Sequence, residues 1–295
     1  MGTGIIDLPD GRELCWTETG DRDGAPVLFM HGISADRRQA SAIRCSPTEL
    51  GARLIAPDRP GYGHSTLAPS RTLRDWSDDV TVLLDHLGID EFTIVAHSGG
   101  APHALACARF MPERVRGVAV CGGAGPWARP GSEAGMAPQL RLAVRLARSR
   151  PGLAWLSFAG MSWFGRRWPA RAVAGMRALA PRPDRAILGE ALVGNTVRRA
   201  MATAPRTQAR ACGCDVAVIA ADWGFRLEDI SVPVTVWHGD ADTWIPPHQA
   251  EAVARSIPGA TLRLLPGAGH FFYVEQMEPI LRSVTSAAGV TGWNR

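Results

Sequence analysis

Four short loops carry the side chains that could do chemistry. His31-Gly32-Ile33 follows an apolar run at 26–30, and Ala96-His97-Ser98-Gly99-Gly100 follows another at 92–96. Gly239-Asp240-Ala241-Asp242 follows 232–237, and Gly267-Ala268-Gly269-His270 follows 260–265. Hydroxyl, imidazole and carboxylate are the groups that nucleophilic catalysis combines. A hydroxyl is a weak nucleophile at neutral pH and needs an adjacent base. An imidazole takes and returns a proton near pH 7, and a carboxylate can fix its tautomer and stabilise the imidazolium.

The apolar runs read as strands, and helical periodicity lies between them. Residues 72–87 repeat apolar positions at Trp76, Val80, Leu83, Leu84 and Leu87 and stop at Gly88. Residues 101–111 are Ala-rich and helical, 115–121 is one more strand, and Pro9-Asp10-Gly11 marks an N-terminal hairpin turn. After Gly125 about one hundred residues show helical periodicity and no clear strand. The strand pattern then returns at Val232, with helices expected at 248–256 and 279–288. Short strands alternating with helices predict an α/β fold, with a mostly parallel sheet covered on both faces. Ligand sites in such sheets lie at the carboxyl ends of the strands, where the four loops fall.

These features together resemble the α/β-hydrolase superfamily, and within it the cap-bearing serine-hydrolase-like branch common in actinobacteria. The resemblance covers residues 4–284, weakest in the helical stretch. It rests on the ordered motifs His31-Gly32, RPGYGHS at 59–65, the Ser98 turn, GDADTWIP at 239–246 and GAGHF at 267–271. The expected organisation is a core at 1–126, a helical cap at 127–228 and the rest of the core at 229–295. The usual nucleophile elbow is G-x-S-x-G, and Ala96 stands at its first glycine. The position must be small because strand and helix backbones approach closely there, and alanine meets that need.

The resemblance implies Ser98 as nucleophile, His270 as base and Asp242 as the acid. Asp240 competes for that last role, but Gly239 and Pro246 frame Asp242 in the family pattern. The alternative position after the earlier strand, 121–125, holds no carboxylate. The backbone N–H groups of Ile33 and Gly99 would form the oxyanion hole. His31, His97, Trp155, Phe158, Trp163 and Phe271 are candidates to contact substrate. His31 and His97 also have a plainer reading, as groups that order their own loops. His64, His86, His103, His238 and His248 read as structural. No His/Cys spacing suggests a metal, and no cofactor is expected.

Composition narrows the rest. The chain has 295 residues, 46% hydrophobic and 20% charged, which is enough for a sizeable core and excludes disorder throughout. The net charge is +4, and all 32 basic residues are arginine. Arg141 to Arg150 recurs at helical spacing, which reads as a solvated helix face. With no accompanying motif, nucleic-acid binding is not expected. No signal peptide or membrane-length apolar run is visible, so a cytoplasmic protein that binds no membrane is expected, with cysteines reduced.

The expected function is hydrolysis of an ester, thioester or lactone of a small molecule with an apolar or aromatic moiety. Acyl transfer, cyclisation, cofactor-free lyase chemistry and silent ligand binding use the same fold and stand as alternatives. Haloalkane dehalogenases and epoxide hydrolases need an Asp nucleophile. An aminopeptidase would need cap carboxylates for a substrate amine, from among Glu133, Asp184, Glu190 and Asp215.

Overall fold

The computed structural model describes residues 2–129 and 131–287. Its centre is an eight-stranded sheet in the order β1-β2-β4-β3-β5-β6-β7-β8. The strands are β1 (Gly2–Asp7), β2 (Glu13–Gly20), β3 (Ala25–Met30), β4 (Ala52–Pro57), β5 (Phe92–His97), β6 (Val115–Cys121), β7 (Val234–Gly239) and β8 (Thr261–Leu265). The β1–β2 hairpin is antiparallel and joins β4 antiparallel, whereas β4, β3, β5, β6, β7 and β8 run parallel. The hairpin turns at Gly11, whose φ of +81° only glycine adopts freely.

Alternation along the strands feeds two cores. Leu28, Met30, Ile94, Ala96, Val118, Val120 and Val236 face one side, packed against α1 (Leu73–His86) and α2 (Ala101–Phe110). Val27, Phe29, Val95, Ala119, Cys121 and Trp237 face the other, under α10 (Tyr273–Ala287). Both faces are covered, so the strands read as continuous apolar runs. α1 starts at a capping box between Thr72 and Asp75 and ends before Gly88, which turns at φ +64°.

The last helix begins earlier than the sequence suggests. It starts at Tyr273 and contains Pro279, where a start near 279 was expected. An interior proline costs about 3 kcal/mol. Tyr273, Val274, Met277, Ile280, Leu281 and Val284 are all buried against the sheet. At about 1.5–3 kcal/mol for each large side chain, their burial outweighs the proline.

Between β6 and β7, which are neighbours in the sheet, the described residues form six α-helices. They are α3 (Pro138–Ser149), α4 (Leu156–Arg167), α5 (Pro169–Leu179), α6 (Arg182–Leu188), α7 (Ala191–Ala202) and α8 (Gln208–Ala220). α9 (Pro247–Ser256) separates β7 from β8. No helix among the described residues is long and apolar enough to cross a membrane. The six cysteines are free thiols.

Candidate active site

Ser98 follows β5 directly and opens a short 3-10 turn into α2, with φ at +56°. A non-glycine residue held there is strained by about 1–2 kcal/mol. The packing that holds it needs glycine at position 100, where an added Cβ would lie 2.5 Å from the Met30 carbonyl oxygen and 2.8 Å from that of His31. Ala96 is fully buried with its methyl in the core, so the departure from glycine fits. A Cβ on Gly99 would lie 2.5 Å from Ile33 Cγ1 and 3.4 Å from the Ile33 nitrogen, so the two loops meet closely. Ser34 follows with φ +65°, a second non-glycine residue in the left-handed region, which the sequence did not signal.

Asp242 and His270 come together from the loops after β7 and β8. His270 Nδ1 donates to Asp242 Oδ2 at 2.6 Å. Asp242 Oδ1 accepts the backbone N–H of Trp244 at 2.8 Å and of Ile245 at 3.0 Å. Asp240 instead accepts the backbone N–H of Gly267 at 2.7 Å in an exposed turn and does not meet His270. Burial pushes the His270 imidazole down. The Asp242 carboxylate, by charge and hydrogen bond and with Asp184 adding, outweighs this and holds it above the usual histidine range.

His97 lies behind this pair. Gln39 Nε2 donates to His97 Nδ1 at 2.8 Å, and His97 Nε2 donates to the His270 carbonyl oxygen at 3.1 Å. Burial, then the neighbouring His270 charge, pushes its pKa well below the usual range, so the ring is neutral and its tautomer is fixed. Gln39 also accepts the Gly32 N–H at 2.8 Å and donates to the Tyr273 hydroxyl at 3.0 Å. One amide thus ties the His31-Gly32 turn to the His270 loop.

Under the same turn sits a buried charge network. Asp215 on α8 accepts from Arg59 Nη2 and the Tyr62 hydroxyl, each at 2.8 Å, and pairs with Arg71. Arg59 in turn donates to the carbonyl oxygens of His31 and Gly32. Burial would raise the Asp215 carboxyl, but Arg59 and Arg71 hold it well below the usual range. His31 itself is fully buried. It accepts the Arg59 N–H at 3.1 Å and donates to the Gly32 carbonyl oxygen at 2.8 Å.

Asp184 on α6 is a second buried carboxylate near His270. It accepts the Phe271 N–H at 2.9 Å, and its Oδ2 has no hydrogen-bond partner. A Cβ on Gly269 would lie 2.3 Å from Asp184 Oδ1, so the carboxylate occupies space that only glycine leaves. Burial raises its pKa, against the opposing N–H groups of Phe271 and His270.

Ser98 and His270 border one cavity of about 280 Å³. Ile33, Ala42, Leu140, Phe158, Met161, Met176, Val197, Met201, Trp127, Trp244, Ile245 and Phe271 supply its apolar wall. Asp36 is the only carboxylate among the described lining residues, and it is paired with Arg38.

A family model described as alpha/beta hydrolase fold matches residues 25–276. The chain belongs to the α/β-hydrolase fold family. It is similar to a non-heme haloperoxidase of Rhodococcus erythropolis, 26% identical over 277 residues, which is 90% of this chain and 92% of that protein. A Pseudomonas putida protein is similar over a shorter stretch. It is the dihydrolipoyllysine-residue acetyltransferase component of an acetoin cleaving system, 34% identical over 116 residues, 39% of this chain. That match spans only 31% of the P. putida protein's length, and the chain likewise spans about a third of the other leading curated relatives. Among solved structures, an esterase from Thermogutta terrifontis has a TM-score of 0.63 and is 27% identical, with 97% of each chain covered.

On this α/β-hydrolase fold the substrate-contact expectations divide. Phe158, Phe271 and His97 border the cavity. His31 does not, because it is buried beneath the turn. Trp155 does not either, because its backbone is packed on Gly213, where a Cβ would lie 2.5 Å from the Trp155 nitrogen. Trp163 points outward and is 57% exposed. Its ring meets Trp168 at 5.3 Å. Sequence reasoning missed Gln39 as a hub and gave no role to Trp127 and Trp244. It named Asp184 and Asp215 without a location. The signal for Asp184 lay in Gly269, a glycine at ordinary φ whose smallness answers to another segment.

Proposed function

We propose that the protein is a serine hydrolase acting on an uncharged ester, thioester or lactone with an apolar acyl or alcohol part. The observation that carries this is the pairing of His270 Nδ1 with Asp242 at 2.6 Å, beside a cavity that the strained Ser98 also borders. In this reading Ser98 Oγ attacks the substrate carbonyl carbon while His270 Nε2 takes its proton. The oxyanion meets the N–H groups of Ile33 and Gly99. His270 then gives the proton to the leaving group, activates a water, and that water releases the acyl group from Ser98. Residues 127–228 act as a cap, with Phe158, Met161, Met176 and Met201 shaping an apolar pocket.

A neutral substrate is favoured over an amine-bearing peptide. Glu133 pairs with Arg148, Glu190 with Arg44, Asp215 with Arg59 and Asp184 with a backbone N–H, and none of the four borders the cavity.

The test is intact mass after incubation with a fluorophosphonate, on the wild type and Ser98→Ala. One adduct on the wild type and none on the variant is expected, followed by turnover of acyl esters. An unlabelled wild type, with short esters left uncleaved, would overturn the reading in favour of ligand binding.

A further inference from the structure

Charge is segregated along this chain. Residues 127–228 hold sixteen arginines against six acidic residues, a net +10, while the remainder holds sixteen arginines against twenty-two acidic residues, a net −6. The same basic segment carries most of the large exposed apolar side chains, Leu153, Leu156, Trp163, Phe164, Leu179 and Leu192 among them.

On α4 these side chains share one side. Leu156, Trp163, Phe164 and Arg167 are spaced by seven, eight and eleven residues from the first, which superposes them on one helix face. That face is turned to solvent: Leu156 is 50% exposed, Trp163 57% and Phe164 38%. Trp163 and Phe164 each meet the Trp168 ring at 5.3 Å, and the Arg167 guanidinium lies 5.1 Å over it. The result is a rigid aromatic ridge. Arg167 stands on it, Arg166 precedes Arg167 on α4 and Arg171 follows in the first turn of α5, and none of the three makes an ion pair among the described residues. α5, which follows, buries none of its residues. Another side of α4 turns Ser162 and Gly165 to the cavity. Met161 both lines the cavity and is 45% exposed, so the cavity reaches the surface beside the ridge.

We propose that the outward face of α4, with its arginine rim, docks the protein reversibly on an anionic lipid surface, beside the mouth of its cavity. Apolar and aromatic side chains with a cationic rim are the chemistry of helices that lie in the membrane interface, where indole rings are favoured. Each arginine near an anionic leaflet adds attraction that salt screens. A second copy docked face to face would bring two basic surfaces together. A nucleic acid would satisfy the arginines but leave Leu153, Leu156 and Leu179 in water. That no helix among the described residues is long and apolar enough to cross a bilayer bears on insertion across it, not on docking at its surface. The proposal stands independently of the reaction assigned to Ser98.

The test is co-sedimentation with vesicles of phosphatidylcholine alone and of phosphatidylcholine mixed with phosphatidylglycerol, at low and high salt. The wild type is expected to pellet with the anionic vesicles only, and less at high salt. Two variants, Trp163→Ser with Phe164→Ser and Arg166→Gln with Arg167→Gln and Arg171→Gln, are each expected to bind about tenfold more weakly or worse. All the changed positions lie outside the cavity lining, so unchanged melting and Ser98 labelling show the variants folded. A wild type that stays in the supernatant, or variants that bind as tightly as it does, would overturn the proposal. So would light scattering that shows a dimer broken by the Trp163 variant, or a DNA duplex that binds more tightly than the vesicles.

Discussion

The Asp184 carboxylate accepts the Phe271 N–H at 2.9 Å, one residue past His270, in the space that Gly269 leaves by lacking a side chain. The groups around the imidazole are then Asp242 on the β7 loop, His238 on β7, His97 on β5 and Asp184 on α6. Asp184→Asn keeps the shape and removes the charge. It should lower the His270 pKa and move the acid limb of the kcat/KM profile to lower pH. An unmoved limb would show that Asp184 carries its proton through that range and acts only as a backbone anchor.

The two carboxylates of the β7 loop should separate cleanly. Asp242→Asn leaves His270 without the partner that fixes its tautomer, and kcat should fall on the order of 10⁴-fold. Asp240→Asn keeps an oxygen for the Gly267 N–H and should change kcat by less than about threefold, in line with a surface substitution. Ester hydrolysis at saturating substrate compares them, and equal losses would remove Asp242 from its assigned role.

Asp215→Asn should destabilise the whole chain. It leaves Arg59 and Arg71 as uncompensated buried charges beneath the His31-Gly32 turn, at a cost of about 3–5 kcal/mol. Urea unfolding measures this, and a loss under about 1 kcal/mol would mean that water or relaxation satisfies the arginines.

Acid should weaken the fold well before the carboxylates titrate. Burial pushes His103 down to about 3, and it holds His31 and His97 well below the usual histidine value. The unfolded chain takes protons on these rings below about pH 6.5 and the folded chain does not, so stability falls as pH drops through that point. Each ring contributes about 1.4 kcal/mol per pH unit. His270 acts oppositely: its raised folded pKa adds stability that is complete below about pH 6.5 and lost as pH rises through the folded value, so it leaves the acid slope to the rings that burial pushes down, His238 among them. Thermal melts from pH 7.5 to 5.0 should show a steady drop, and a flat Tm would mean the rings charge normally.

Much of the fold was legible because its signals are local. The ends of β5 and α2 follow from an apolar run, a Ser-Gly-Gly turn and Pro102 in the first helical turn. The pairing of Asp242 with His270 followed from their loops after adjacent parallel strands. Asp184 and Asp215 were not legible, because their partners lie 87 to 156 residues away and only the packed chain selects them. Nor were the inward aromatics. Phe158 borders the cavity and Trp163, five residues on, faces solvent, a difference set by the rotation of α4. The start of α10 was missed because Pro279 resembles a helix opening, while the stripe that continues before it decides the matter.

The helical segment leaves the sheet after β6 and returns at β7, the neighbouring strand, where Val118 pairs with Val234. Within it the Trp127 N–H donates to the Ile219 carbonyl oxygen at 3.3 Å, so the chain between those two residues starts and ends side by side, and a foreign segment could be spliced there without disturbing the strand register. A graft would still fail on chemistry. Arg59, Arg71 and Gly269 belong to the scaffold but are matched to Asp215 and Asp184 in the segment. Exchange between relatives must therefore move these five positions as a set, and a chimera that ignores them inherits two buried cations and a hole beside its histidine.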